Sequence, residues 1–115
     1  MLIEYLAKLL PAIGHTFVTG LLDEEFNISV INRIEVLGHA SVNQATEDFL
    51  SLATVHELTQ QVAQQTIQLR KTHRIKLPDA IIAATALTHG FTIVTRNTSD
   101  FKTIAGLPTI NPHEV

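Results

Sequence analysis

Residues 77–90, LPDAIIAATALTHG, read as an interior helix. Pro78 suits the first turn and Gly90 the residue just past the end. Between them the side chains are apolar on nearly every side, and a helix of that kind is buried rather than laid on a surface. Ala80, Ala83, Ala84 and Ala86 give it small faces against which neighbours pack closely. The run FTIVT (91–95) follows at once and predicts a strand. A chain of 115 residues is expected to form one domain, residues 1–115, with one core.

The rest of the chain switches between helical and strand-like periodicity. Leu2, Leu6, Leu9 and Leu10, with Ile3 widening the stripe, predict a helix over 2–10, and 12–22 continue helically after Pro11. FNISVI (26–31) reads as a buried strand. Asn32 then reads as a helix cap with Glu35 three residues on, the helix running to about Gly38. Ser41 with Gln44 repeats that pattern before a helix carrying Ala45, Phe49 and Leu50. A short strand is expected at 52–55. Residues 56–73 predict an amphipathic helix with Leu58, Val62, Thr66 and Leu69 inside and its glutamines in water. RNTSD is a polar loop, FKTIAGL one or two helical turns, and PTI (108–110) a last strand. Strands alternating with helices predict an α/β fold with a short, largely parallel sheet. Ligands of such sheets sit beyond the carboxyl ends of the strands.

Composition removes several classes of function. No cysteine means no disulfide and no thiolate zinc site, and the six histidines show no paired ligand spacing. A net charge of −3 argues against nucleic-acid binding by bulk charge. No apolar run approaches the ~18 residues a membrane span needs, so no membrane association is expected. Glu4 and Pro11 stand where a signal peptide has a basic start and an apolar stretch, which predicts a cytoplasmic protein. Nucleophile-triad, phosphate-loop and dinucleotide glycine patterns are lacking.

Three acids fall near predicted strand ends. Each has a structural explanation: Glu35 returning a hydrogen bond to a cap, Asp79 favoured by a helix dipole, Asp100 capping the turn at 101–105. Gathered in one cleft they would repel strongly. Two unit charges about 4 Å apart interact by roughly 4 kcal/mol at an effective dielectric of 20. Such a cluster must protonate, spread apart or hold a cation, and an all-oxygen site suits Mg²⁺ or Mn²⁺.

LPDAIIAATAL followed by GFTIVTRNTSDF closely resembles the PIN-domain family, in particular VapC-type toxins of toxin–antitoxin pairs. ISVINRIEVLG resembles that family's second-strand motif. The resemblance runs from Leu2 to Pro112 and rests on three motifs in the right order. It implies a three-layer α/β/α fold and a Mg- or Mn-dependent endoribonuclease. It also implies Glu35, Asp79 and Asp100 as catalytic and metal-binding acids, with Thr95 and Asn97 orienting the site. The partners it implies are RNA, a cognate antitoxin and a second copy of the chain. Arg33 and Arg96 adjoin motif residues and are candidates for phosphate contact. Arg70, Lys71, Arg74 and Lys76 form either an RNA-backbone patch or a solvated basic helix end.

The chain departs from the family at its start. Family members begin with a central strand ending in Asp-Thr-Asn, whereas LIEYLAKLLP resembles the helix after it. The first strand and its Asp are therefore expected to be missing, with Glu4 inside a helix and unable to replace that Asp. Two inner strands would then expose unpaired backbone, which favours a homodimer or higher oligomer. Either the start is assigned too far downstream, or the chain is a decayed copy with little ribonuclease activity. The alternative function is a non-catalytic interaction module that keeps the fold and the partner surface.

Overall fold

A computed structural model describes residues 2–3, 26–40, 42–95 and 97–111. The described elements are β1 (Leu2–Ile3), β2 (Asn27–Ser29), α1 (Val30–Leu37), α2 (Gln44–Leu50), β3 (Thr54–His56), α3 (Gln60–Thr72), α4 (Leu77–His89), β4 (Ile93–Val94) and β5 (Thr109–Ile110). A single 3₁₀ turn at Thr98–Asp100 lies between the last two strands. The strands form one parallel sheet in the order β3-β2-β1-β4-β5.

The N-terminal expectation is overturned. Leu2 and Ile3 are strand, not helix, and they occupy the centre of the sheet. Leu2 pairs with Asn27 on one side, while Leu2 and Ile3 pair with Ile93 and Val94 on the other. The central strand is thus present, and the inner edges of β2 and β4 are not left open. A two-residue strand carries no alternation of its own and is held by ladders on both sides. Glu4, the remainder of the expected helix at 2–10 and the one at 12–22 lie outside the described residues.

Around the sheet the interior helix is as expected. Every residue from Ala80 to Ala86 is buried, and Gly90 closes α4 in the left-handed conformation at φ 72°. Ile81, Ile82, Ala83 and Ala84 join Val62, Leu69, Ile93, Phe101, Ile104 and Leu107 in one core. Burying Ile81 and Ile82 alone contributes roughly 3–6 kcal/mol against leaving them in water.

Helix α3 is capped by Thr59, whose hydroxyl accepts from the Val62 N–H at 3.2 Å. It buries Val62, Thr66 and Leu69, while Leu58, expected in that stripe, precedes the helix and is largely exposed. Thr66 pays no unmet-donor penalty, since its hydroxyl donates to the Val62 carbonyl at 2.8 Å. Helix α2 is capped by Asn43, whose side chain accepts from the Thr46 N–H at 2.9 Å, in place of the expected Ser41, which lies outside the described residues. Phe49 of α2 packs at 5.0 Å on Phe26, the residue before β2.

Candidate functional site

All described strands run the same way, so their carboxyl ends share one edge. At that edge β2 turns into α1 with no loop between. Ser29 is the cap: its hydroxyl accepts from the Ile31 N–H at 3.1 Å, and its own N–H donates to Asn32 Oδ1 at 2.9 Å. Asn32, expected as the cap, is the reciprocal partner one turn in, and both residues are buried. The spacing of Ser29 and Asn32 carried this signal, but the strand was expected to reach 31 and hid it. The shift has a chemical consequence. Glu35 lies past the first turn of α1, out of reach of the cap, so its capping explanation fails.

Asp79 keeps its structural explanation. It stands in the first turn of α4, where Lys76 at the cap makes no side-chain bond and Pro78 follows Leu77. The macrodipole favours a carboxylate there. Helix α1 packs against α4, which brings Glu35 under the influence of Asp79. Partial burial, and then the charge of Asp79, push the Glu35 carboxyl above its ordinary value of 4.5. Among the described residues Glu35 has no hydrogen-bond partner to offset this.

The loop after β4 builds a second group. Thr95 is fully buried, and its hydroxyl accepts from the Asn97 N–H at 3.1 Å. The Asn97 side chain donates to Asp100 Oδ2 at 2.6 Å and accepts from the Ser99 hydroxyl at 2.8 Å. Asp100 is therefore held inside the 3₁₀ turn and does not cap the segment after it. The structure thus pairs Glu35 with Asp79, and separately ties Thr95, Asn97 and Asp100 together. Among the described residues no group of three His, Asp or Glu side chains is placed to hold one metal ion. Arg33 is exposed on α1, Arg70, Lys71, Arg74 and Lys76 are exposed around the α3–α4 connection, and Arg96 lies outside the described residues. No described helix is long and apolar enough to cross a membrane.

This arrangement can be set beside known proteins. Residues 2–107 match the model of the PIN domain family. A toxin–antitoxin complex from Klebsiella pneumoniae contains a chain 32% identical to this one, with a TM-score of 0.79 over 99% of this chain and 98% of that one. The FitAcB structure from Neisseria gonorrhoeae gives 28% identity and a TM-score of 0.74 over 99% of each chain. DNA-bound VapBC from Salmonella typhimurium shares the fold at 21% identity, with a TM-score of 0.79 over 96% of each chain. Among curated protein sequences none matches. The family match begins at Leu2, the first residue of β1, and extends through the core to Leu107, so it takes in the Ser29–Glu35 turn, Asp79 and the Thr95–Asp100 loop. The chain belongs to the PIN domain family and has the fold of its VapC-type toxins.

Proposed function

We propose that this chain is the toxin of a toxin–antitoxin pair, a Mg²⁺- or Mn²⁺-dependent endoribonuclease with impaired activity. The observation that carries the reading is the family match over residues 2–107, within which the packing of α1 on α4 brings Glu35 close enough to feel the charge of Asp79. Two carboxylates that crowd each other suit a cation. Mg²⁺ commonly takes one or two protein carboxylates and keeps waters on its other positions. Glu35 and Asp79 would hold it, and Asp100, tied to Asn97 in its own turn, is the third acid that the resemblance implies. Bound there, such an ion supplies an activated water and neutralises charge on a phosphodiester.

The chain's own residues do the rest. Thr95 fixes the Asn97 backbone and Asn97 fixes Asp100, so that carboxylate needs no reordering when a ligand arrives. Glu35 must lose its proton to bind a cation, so metal affinity falls as pH drops through its raised value. Arg33 and Arg96 adjoin these residues in sequence and would contact phosphates. The reading extends to a cytoplasmic protein that binds a cognate antitoxin and forms a homodimer. Ile34, exposed on α1, is one apolar side chain such contacts would cover.

Impairment follows from the residue after β1. The resemblance implies an Asp at the end of the first strand, and in sequence the residue after β1 is Glu4, one methylene longer. A changed metal ligand is expected to cost more than the ~10–100-fold typical of a supporting residue. The test is cleavage of single-stranded RNA with Mn²⁺ by the native chain, Glu4→Asp and Asp79→Asn. Slow cleavage by the native chain, faster cleavage by Glu4→Asp and none by Asp79→Asn is the expected result. Cleavage that survives in Asp79→Asn overturns the site. Equal, brisk rates in the native chain and Glu4→Asp overturn the impairment. The second reading, a non-catalytic interaction module, is favoured by Glu4 following β1 in sequence where the resemblance implies Asp. Inactivity in both chains, with antitoxin binding intact, would establish it.

A further inference from the structure

Helix α3 and the start of α4 frame a surface groove of about 400 Å³ lined by Thr66, Ile67, Arg70, Lys71 and Leu77. Ile67 and Leu77 are 46% and 49% exposed, large aliphatic side chains half in water. Arg70 and Lys71 stand beside them in the last turn of α3, and Arg74 and Lys76 follow in the connection to α4. Four of the chain's eight Lys and Arg residues are thus concentrated here, in a protein of net charge −3. Among the described residues none of the four side chains has a carboxylate or hydrogen-bond partner.

The helix dipole explains cations at the end of α3. It does not explain two aliphatic side chains kept at the surface beside them. One exposed aliphatic is ordinary, but an apolar centre with a charged rim is the composition of an interface. An RNA strand would use the cations, but single-strand sites also stack bases on aromatic rings, and no aromatic residue lines this groove. Ile67 and Leu77 offer nothing to a phosphate backbone.

We propose that this groove docks an acidic, amphipathic segment of a protein partner. Its aliphatic side chains rest on Ile67 and Leu77, and its carboxylates meet Arg70 and Lys71. The charge complementarity selects the occupant: a neutral or basic segment would leave the rim cations facing apolar groups or like charge. The groove lies at the small end of the roughly 300–1,000 Å³ range of ligand pockets, so it takes one or two side chains of an extended or helical segment rather than a folded domain. This docking does not depend on RNA cleavage.

The test pans a display library of random peptides, about 12 residues long, against the full chain, and measures the selected peptides by fluorescence anisotropy. Expected are peptides that combine acids with Leu, Ile or Phe. Their affinity should fall about tenfold or more in Arg70→Glu/Lys71→Glu, fall similarly in Ile67→Asn, and stay unchanged in Lys102→Glu. Thermal melts of each variant check folding, and Arg70→Ala/Lys71→Ala replaces the charge reversal if that chain unfolds. No enrichment, a consensus without acids, or binding indifferent to both rim variants overturns the proposal. A single-stranded RNA of about 20 nucleotides that binds the native chain and is lost in Arg70→Glu/Lys71→Glu, with no such peptide found, assigns the groove to RNA and overturns it. An oligomer that dissociates in Ile67→Asn, seen by light scattering, assigns it to a second copy and does the same.

Discussion

Helices α3 and α4 are each 13 residues long and lie against one another, yet they spend their surfaces differently. Helix α4 is buried without interruption from Ala80 to Ala86, because α3, α1 and β2 all pack on it. Helix α3 buries only Val62, Thr66 and Leu69 and turns its glutamines and its basic end outward. They also stop differently. Gly90 ends α4 in the left-handed region, whereas His73 ends α3 in extended backbone at φ −135°. The stability of the fold is concentrated in α4, and the surface available to partners in α3.

The largest effect should come from charging the inner helix. Ala84→Asp places a carboxylate where no side chain can answer it, and a loss of about 3–5 kcal/mol or complete unfolding is expected in denaturant titration. A wild-type midpoint would break the contrast. Val62→Ala probes the single buried stripe of α3 and should cost about 2 kcal/mol, while Gln64→Ala on the same helix should stay within about 0.5 kcal/mol. The helix ends come next. Gly90→Ala forces a side chain into φ 72° and should cost about 1–2 kcal/mol with nothing nearby to clash.

The smallest effect has the opposite sign. The folded state holds the Glu35 proton more tightly than the unfolded chain does, so ionising Glu35 opposes folding as pH rises. Glu35→Gln should therefore stabilise the protein at pH 7, by less than about 1 kcal/mol because the site is screened by water. The gain should vanish below pH 4.5, the ordinary value of the group. A pH series of thermal melts checks it, and a destabilised variant at pH 7 would mean that burial and Asp79 together do not disfavour the ionised Glu35.

The inner helix was legible because its signals are local: Pro78, Gly90 and an unbroken apolar run. Parallel strand order followed from the alternation of types. β1 was not legible, since Leu2 and Ile3 sit at the head of a helical leucine pattern and become strand only through partners far along the chain. Asn32 was assigned the wrong role for a related reason: the strand before it ends at Ser29, earlier than its β-branched run. The acids were legible as residues but not as a set. Proximity of Glu35 and Asp79 depends on how α1 meets α4, and the anchoring of Asp100 depends on a turn that Asn97 organises.

The middle place of β1 has a consequence in time. Its two partners are made long after it: Asn27 follows Leu2 by 25 residues and Ile93 by 91. At roughly 5–20 residues per second on the ribosome, β1 waits about 5–20 s for its second partner. Until then the β1 edge of the half-sheet of β1, β2 and β3 is unpaired, because β4, the strand that pairs with it, has not yet been made. Closing so distant a contact makes for slow folding. The nascent chain is therefore most exposed to chaperones, proteases and unwanted strand pairing just before its last quarter emerges.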